Sequence, residues 1–290
     1  MIGHGTHGAS ASGSCKPFRF QNLRQNIRND TKREFAKYNN VDNIQHDIHP
    51  EINIRYNTLN IFVGQRGSGK TFNGFNEVVA ISRINSKFHK FIYVSNNPND
   101  ETYKKFKPLL SIPHELVNYE HAEDVINELR EYKQAYDEIK DKHLENKITE
   151  ECKDEILDKL SIDDFNAQSL HTLIMYDDAM EVFKKPTSKQ YRWMMENRHF
   201  RTTYILCIQD WKGIGSELKA NIDSIWFFGG YPRNRYCYIF NQLSCPIDRD
   251  ILYNVYKELN KRDTLIINHK SDGDEIKILY EDGKIRYLTI

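Results

Sequence analysis

Apolar residues are concentrated in five short runs, separated by longer segments in which polar and apolar residues are mixed. The runs cover residues 57–63, 90–95, 172–176, 203–208 and 224–228. Short runs that are nearly continuous in apolar residues are typical of strands buried on both faces of a parallel sheet. Because the intervening segments are long enough for covering helices, the pattern predicts an α/β fold with a mainly parallel sheet.

Two regions depart from this alternation. At residues 264–268, 275–280 and 284–290 the pattern indicates further strands, and Asp282-Gly283 supplies a turn for an antiparallel hairpin, so a C-terminal β-hairpin region is expected at about residues 264–290. Within residues 120–160, apolar residues recur three and four apart on a densely charged background: Val125, Ile126, Leu129, Tyr132, Tyr136 and Ile139.

The charged region predicts a long helix or helical hairpin, inserted at about residues 118–162. Such an insertion either contacts a neighbouring subunit or partner, or is an amphipathic excursion into solvent. We expect residues 1–50 to be a flexible N-terminus with a basic arm, because they begin with the small-residue stretch MIGHGTHGASASGS. Residues 51–290 are then expected to form one large domain.

Composition excludes several classes of protein. Lysine and arginine together number 41, as do aspartate and glutamate, so net charge argues neither for nor against a nucleic-acid partner. No stretch approaches the roughly 18 to 20 apolar residues that span a bilayer, so no membrane anchor is expected. The 5 cysteines are odd in number and form no C-x-x-C pair, which argues against a disulfide framework or a zinc site.

The candidate chemistry begins directly after the first apolar run. Residues 64–71 match G-x-x-x-x-G-K-[ST], the loop whose backbone N–H groups cradle nucleotide phosphates between a strand and a helix. Lys70, expected in an open and solvated loop, would reach the β- and γ-phosphates, and the hydroxyl of Thr71 would hold Mg²⁺. The alternative is a chance glycine-rich turn. The predicted residues for binding ATP and Mg²⁺ are Gly64, Gln65, Arg66, Gly67, Ser68, Gly69, Lys70, Thr71 and Phe72.

Two carboxylates follow the third run, in the stretch LIMYDDAM. Asp177, at the strand tip, is placed to bind Mg²⁺ directly or through water. Asp178 is placed to orient and deprotonate an attacking water. As an alternative, Asp178 is only a helix N-cap or a solvated acid. Gln209 ends the fourth run, YILCIQ, where its side chain would sense the γ-phosphate if this strand lies between the P-loop strand and the acidic strand.

The stretch NRHFRTTYILCIQDWKGIGSELKANIDSIWFF at residues 197–228 resembles the FtsK–HerA superfamily of DNA-pumping ATPases. An arginine opens the strand that ends in glutamine, and a Lys-x-Asn follows before the next strand. The Arg-His and Asp-Asp pairs and FFGGYPRNR look most like the genome-packaging ATPases of large double-stranded DNA viruses and virophages. The resemblance covers about residues 57–260. The matching positions are Arg198, Gln209, Lys219 and Asn221.

Two departures qualify this resemblance. Asp178 stands where cellular members usually carry glutamate, and the insertion at 118–162 has no counterpart in the core of the superfamily. Otherwise the resemblance implies a RecA-like P-loop core with strand order 5-1-4-3-2, and a ring of five or six subunits in which an arginine acts on the neighbour's site. Arg233 and Arg235 are the candidates and Arg198 is the next; the alternative is that they bind DNA phosphates.

The resemblance also implies partners and a location. Double-stranded DNA would be contacted at its backbone, independently of sequence, and a capsid or portal-vertex protein would receive the motor. The host-cell cytoplasm or the viral factory is the expected location, with the virion as an alternative. A cellular FtsK/HerA-type translocase and a nucleotide-gated binding module without motor activity are the rival functions. Candidate DNA-contacting lysines are Lys184, Lys185, Lys189 and Lys212.

Overall fold

The computed structural model describes residues 53–84, 88–144, 170–183, 188–212, 214–243, 248–269 and 275–288. The predicted N-terminal arm, the second half of the predicted insertion, Lys184 and Lys185 lie outside these residues. Within them, strands form one sheet in the order β3-β2-β4-β5-β1-β6-β7-β8-β9. The strands are β1 Leu59–Val63, β2 Phe88–Val94, β3 His114–Val117, β4 His171–Tyr176, β5 Thr202–Ile208, β6 Ser224–Phe228, β7 Thr264–Asn268, β8 Glu275–Leu279 and β9 Ile285–Tyr287.

The sheet confirms the predicted class and the order of its core. Strands β1 to β6 pair in parallel, and β7, β8 and β9 add antiparallel pairs beyond β6. Numbered over the five predicted runs alone, the order is 5-1-4-3-2, as expected. The complete sheet differs by the edge strand β3, which the apolar pattern does not predict because three of its four residues are only half-buried.

Helices cover both faces of the sheet. Side chains alternate along β1, so Leu59, Ile61 and Val63 pack into one core and Phe62 packs into the other. No helix in the described part of the chain is long and apolar enough to cross a membrane. The helices are α1 Lys70–Ile84, α2 Glu101–Phe106 with the 3₁₀ turn Lys107–Leu109, α3 Tyr119–Leu144, α4 Met180–Phe183, α5 Lys189–Met195, α6 Ser216–Ala220, α7 Arg233–Phe240 and α8 Arg249–Tyr256.

Helix α3 is the first part of the predicted insertion, and it belongs to the covering layer of the sheet. It follows β3 along the chain, and Ile126 and Leu129 pack into the core. Lys133 lies on the same face and is only 1% exposed. Its ammonium donates to the carbonyl oxygens of Phe200 (2.6 Å) and Arg201 (3.2 Å), so the helix is fastened to the turn that precedes β5.

A buried carboxylate makes the stability of the domain depend on pH. Both oxygens of Glu77, on α1, accept hydrogen bonds from Asn53, and burial raises the pKa of Glu77 to about 7. The folded chain therefore binds more protons than the unfolded chain, so the contribution of Glu77 to the free energy of unfolding is greatest below about pH 4.5 and falls as the pH rises through 7. Two to three pKa units correspond to a loss on the order of 3 kcal/mol.

We expect Glu77→Gln to remove this part of the pH dependence. The measurement is urea unfolding of the wild type and the variant at several values between pH 4.5 and 7.5. Because other groups titrate equally in both proteins, the difference between the two curves isolates residue 77. Parallel curves for the two proteins would contradict the assignment.

Candidate active site

The P-loop lies between β1 and α1, at the carboxyl edge of the parallel strands. Its turn needs left-handed backbone at Gly67 (φ 73°) and Gly69 (φ 92°), a conformation that glycine adopts without steric cost. The N–H of Gly64 donates to the carbonyl of Ile208 (3.2 Å), which fixes the loop to β5. A Cβ on Gly64 would lie 2.7 Å from the Cβ of Phe228, so only glycine fits at the start of the loop.

Lys70 is buried, at 7% exposure, which corrects the expectation of an open and solvated position. Its ammonium donates to the carbonyl oxygens of Gly64 (2.8 Å) and Gln65 (2.9 Å). Burial lowers the pKa of Lys70, and the nearby Asp177 and Asp178 carboxylates oppose that shift. The loop thus holds a cation at its centre through acceptors that an incoming phosphate can replace.

Thr71 and Asp177 are brought together from α1 and the end of β4. The hydroxyl of Thr71 donates to a carboxylate oxygen of Asp177 at 2.7 Å. The backbone of Asp177 is fixed on both sides, since its N–H donates to Val94 and its carbonyl accepts from the Tyr119 hydroxyl. A hydroxyl and a carboxylate are hard oxygen donors of the kind that Mg²⁺ takes alongside phosphates and water, so this pair fits the metal that ATP carries.

Asp178 has a different environment from its neighbour. It is exposed and adopts a left-handed conformation (φ 53°), which Asp tolerates better than most residues. The turn lets the N–H of Ala179 reach the carbonyl of Cys207 on β5 (2.9 Å). Burial raises the pKa of Asp177. The two adjacent carboxylates therefore differ in solvent access, one facing Thr71 and the other open to water.

Gln209 lies at the carboxyl end of β5, the strand that runs between β1 and β4 as expected. Its carbonyl oxygen accepts hydrogen bonds from the Tyr231 hydroxyl (2.7 Å) and from the guanidinium of Arg235 (2.8 Å). On the other side, the amide of Gln65 donates to the carbonyl of Gly230 (2.9 Å). The loop after β6 is therefore hydrogen-bonded both to Gln209 and to the P-loop.

The three candidate arginines occupy two edges of the sheet. Arg235 pairs with Asp210 (3.4 Å) beside Gln209 of its own chain. Arg233 begins α7 at the same edge, pairs with Asp250 (3.0 Å) and keeps 63% of its side chain exposed. Arg198 precedes β5 and pairs with Asp223 (3.0 Å), at the amino edge opposite the P-loop.

The remaining predicted residues lie partly in or beside the P-loop and partly away from it. Ser68 is buried within the loop and Arg66 is exposed, while Phe72 packs edge to face on Phe106 (5.1 Å between ring centroids). Lys189 pairs with Glu123 (3.4 Å), and Lys212 is exposed on the loop after β5. Lys219 and Asn221 bond to neighbours on their own chain, Gln242 and Glu217 respectively.

Lys261 is a residue that the sequence did not indicate. It lies between α8 and β7, and its ammonium is 3.5 Å from the position that a Cβ would take on Gly67. It belongs to no motif and is far from the P-loop in sequence, so only the pairing of β6 with β7 reveals its position.

Comparison with known proteins identifies structures of similar fold. No protein-family model and no curated protein sequence matches the chain. Among solved structures, it is similar to B204, the DNA-packaging ATPase from Sulfolobus Turreted Icosahedral Virus, with a TM-score of 0.50 and 17% identity over 76% of this chain and 96% of that one. The two proteins share a fold. This likeness confirms the predicted fold.

Two further structures also match. B204 from Sulfolobus turreted icosahedral virus 2, in complex with ATP-gammaS, has a TM-score of 0.49 and 18% identity over 76% of this chain and 96% of that chain. EssC (ATPases 2 and 3) from Geobacillus thermodenitrificans has a TM-score of 0.48 and 12% identity over 78% of this chain and 40% of that chain.

Proposed function

We propose that the chain is an ATPase that drives double-stranded DNA into a preformed viral capsid. The observation that carries the ATPase part is the site itself: a glycine loop around the Lys70 ammonium, with Thr71 and Asp177 2.7 Å apart beside it. The shared fold with a DNA-packaging ATPase supports the choice of DNA as cargo.

Each residue has a distinct task in this proposal. The loop N–H groups and Lys70 bind the phosphate tail, and Thr71 and Asp177 hold Mg²⁺, which supplies charge neutralisation when bound. Asp178, open to water, accepts a proton from the water that attacks the γ-phosphorus, while the bond from that phosphorus to the leaving ADP oxygen breaks. Gln209 positions the same water, and its contacts transmit the presence of the γ-phosphate to the loop after β6.

The site is completed from a neighbouring subunit. Arg233 is the favoured trans-acting residue because it is at the P-loop edge and largely exposed, whereas Arg235 is engaged with Gln209 of its own chain. A positive charge on the transferred phosphoryl group stabilises its transition state. The proposed assembly is a ring of five or six subunits, docked on a capsid or portal-vertex protein in the host cytoplasm or viral factory, or carried in the virion.

DNA is contacted through its phosphates, because a packaging motor acts on any sequence. Lys189 and Lys212 are the described lysines proposed for this contact, and both have solvent access. The experiment is ATP turnover of the wild-type chain with and without linear duplexes of unrelated sequence. We expect every duplex to stimulate turnover similarly, and the stimulation to weaken as salt rises. Slow turnover that ignores DNA would instead indicate a nucleotide-gated binding module.

The division of labour between the two carboxylates gives a further prediction. Asp178→Asn should bind Mg-ATP as the wild type does but turn it over roughly 10²- to 10⁴-fold more slowly, because only proton transfer to residue 178 is lost. Asp177→Asn should instead raise the Mg²⁺ concentration needed for half-maximal turnover. Steady-state kinetics over a Mg²⁺ series, with nucleotide affinity measured in parallel, separates them. Two variants with the same affinity, rate and Mg²⁺ dependence would refute the assigned roles.

A further inference from the structure

The side chain of Lys261 runs from the loop before β7 to the P-loop. Its Cγ is 3.7 Å from the position a Cβ would take on Gly230, and its ammonium is 3.5 Å from the corresponding position on Gly67. Gly230 and Gly67 both have left-handed backbone and no side chain of their own. The lysine therefore crosses one glycine and ends beside another, on the loop whose N–H groups cradle phosphate.

The segment that carries Lys261 is fixed in place. Asp263 is 3% exposed, and its carboxylate accepts from the backbone (2.8 Å) and side-chain (3.0 Å) nitrogens of Asn260 and from the N–H of Glu281 (2.9 Å). The N–H of Gly229 donates to the carbonyl of Asp263 (3.0 Å). This loop, residues 259–263, thus closes on the end of β6, and Lys261 starts from a rigid base.

A close backbone contact determines how near the loop at 259–263 can come to the end of β6. A Cβ on Gly229 would lie 2.0 Å from the carbonyl oxygen of Asn260, so any other residue there would push the loop away. The next residue, Arg262, is directed to Glu281, with which it pairs at 2.6 Å. Among the described residues, no carboxylate lies within ion-pair distance of the Lys261 ammonium, which leaves its charge available to an anion at the P-loop.

We infer that Lys261 is a further nucleotide-binding residue, which acts on the P-loop of its own chain and binds the phosphate tail of a nucleoside triphosphate. The inference rests on the proposed function, since it assumes a nucleotide at this loop. An ammonium forms charge-assisted hydrogen bonds with phosphate oxygens, and it acts here from the side of Gly67, separately from Lys70 within the loop. Lys261 does not contact the adenosine part of the nucleotide.

The test compares two ligands and three variants of the full chain. Affinities for a non-hydrolysable ATP analogue and for AMP are measured by titration calorimetry with Mg²⁺, on the wild type, Lys261→Ala, Lys261→Arg and the control Lys257→Ala. Lys257 is an exposed lysine at the end of α8. We expect Lys261→Ala to bind the triphosphate about tenfold more weakly. Its affinity for AMP should not change, Lys261→Arg should retain most of the triphosphate affinity, and Lys257→Ala should match the wild type.

The possible outcomes distinguish a failure of this inference from a failure of the proposed function. If the wild type binds the triphosphate and Lys261→Ala binds it equally well, the inference is wrong and the ATPase proposal stands. An equal loss for AMP and triphosphate would also overturn the inference, because it would indicate a general disturbance of the loop. A wild type that binds no triphosphate would overturn the proposed function, and the role of Lys261 with it.

Discussion

Lys70→Ala is expected to reduce ATP turnover by about 10²- to 10³-fold or more, because the transferred phosphoryl group loses its central cation. The variant should fold, with a lower melting temperature than the wild type. The substitution leaves the carbonyl oxygens of Gly64 and Gln65 without the charged donor that lies 2.8 and 2.9 Å away. A lost hydrogen bond to a charged group costs about 1.5 to 3 kcal/mol of stability. Turnover and a circular-dichroism melt measure the two effects.

A matched control separates the loss of this cation from a general loss of charge. Lys257→Ala removes one lysine from the exposed end of α8 and should leave both turnover and melting temperature unchanged. Wild-type turnover in Lys70→Ala would remove the P-loop from the proposed mechanism, whatever the melting temperature.

Mixing two inactive variants is expected to restore turnover. Arg233→Ala keeps its own P-loop, Lys70→Ala keeps Arg233, and each alone should be inactive, since a trans-acting arginine is worth about 10³- to 10⁵-fold in rate. In a randomly mixed ring with head-to-tail interfaces, about one quarter of the interfaces join an intact P-loop to an intact arginine. Turnover of an equimolar mixture should approach that fraction of the wild-type rate, measured at a concentration where rings form.

Arg235→Ala is the informative comparison in the same experiment. Its guanidinium is 2.8 Å from the carbonyl of Gln209 in its own chain. The substitution would therefore impair the active site of the same subunit, which is the subunit with the intact P-loop. Mixing with Lys70→Ala should then restore no turnover. Recovery with Arg235→Ala or Arg198→Ala, and none with Arg233→Ala, would assign the trans role to that other arginine. Wild-type turnover by Arg233→Ala alone would also exclude Arg233.

The parts of the fold that sequence could predict are those in which burial alone selects the residues. Strand β4 is buried at every position from His171 to Tyr176, so its apolar residues stand out against the flanking sequence. Strand β3 is short and lies at the edge of the sheet, so its half-buried residues leave no such signal. Helix α3 shows a mixed case, since its period is visible but Lys133 reads as polar while it packs inside.

The residues of the candidate site likewise include some that sequence could predict and some that it could not. Thr71 and Asp177 could be paired from sequence because each comes shortly after a strand, and parallel strands end at one edge of a sheet. Lys261 could not be placed, because its position depends on an antiparallel strand that returns beside β6. The burial of Lys70 could not be predicted either, since a motif specifies residue types and not the carbonyl oxygens that surround them.

The contact at Gly229 limits where this protein can be joined to a relative in a chimera. Because a Cβ at residue 229 would lie 2.0 Å from the carbonyl oxygen of Asn260, the end of β6 and the loop at 259–263 cannot be exchanged independently. A chimera that takes residues 229–263 from a relative would import the arginines, the Asp263 turn and Lys261 as one module. A chimera whose boundary lies between α7 and α8 would combine the end of β6 from one protein with the loop at 259–263 from another. A steric mismatch between these two surfaces would distort the P-loop.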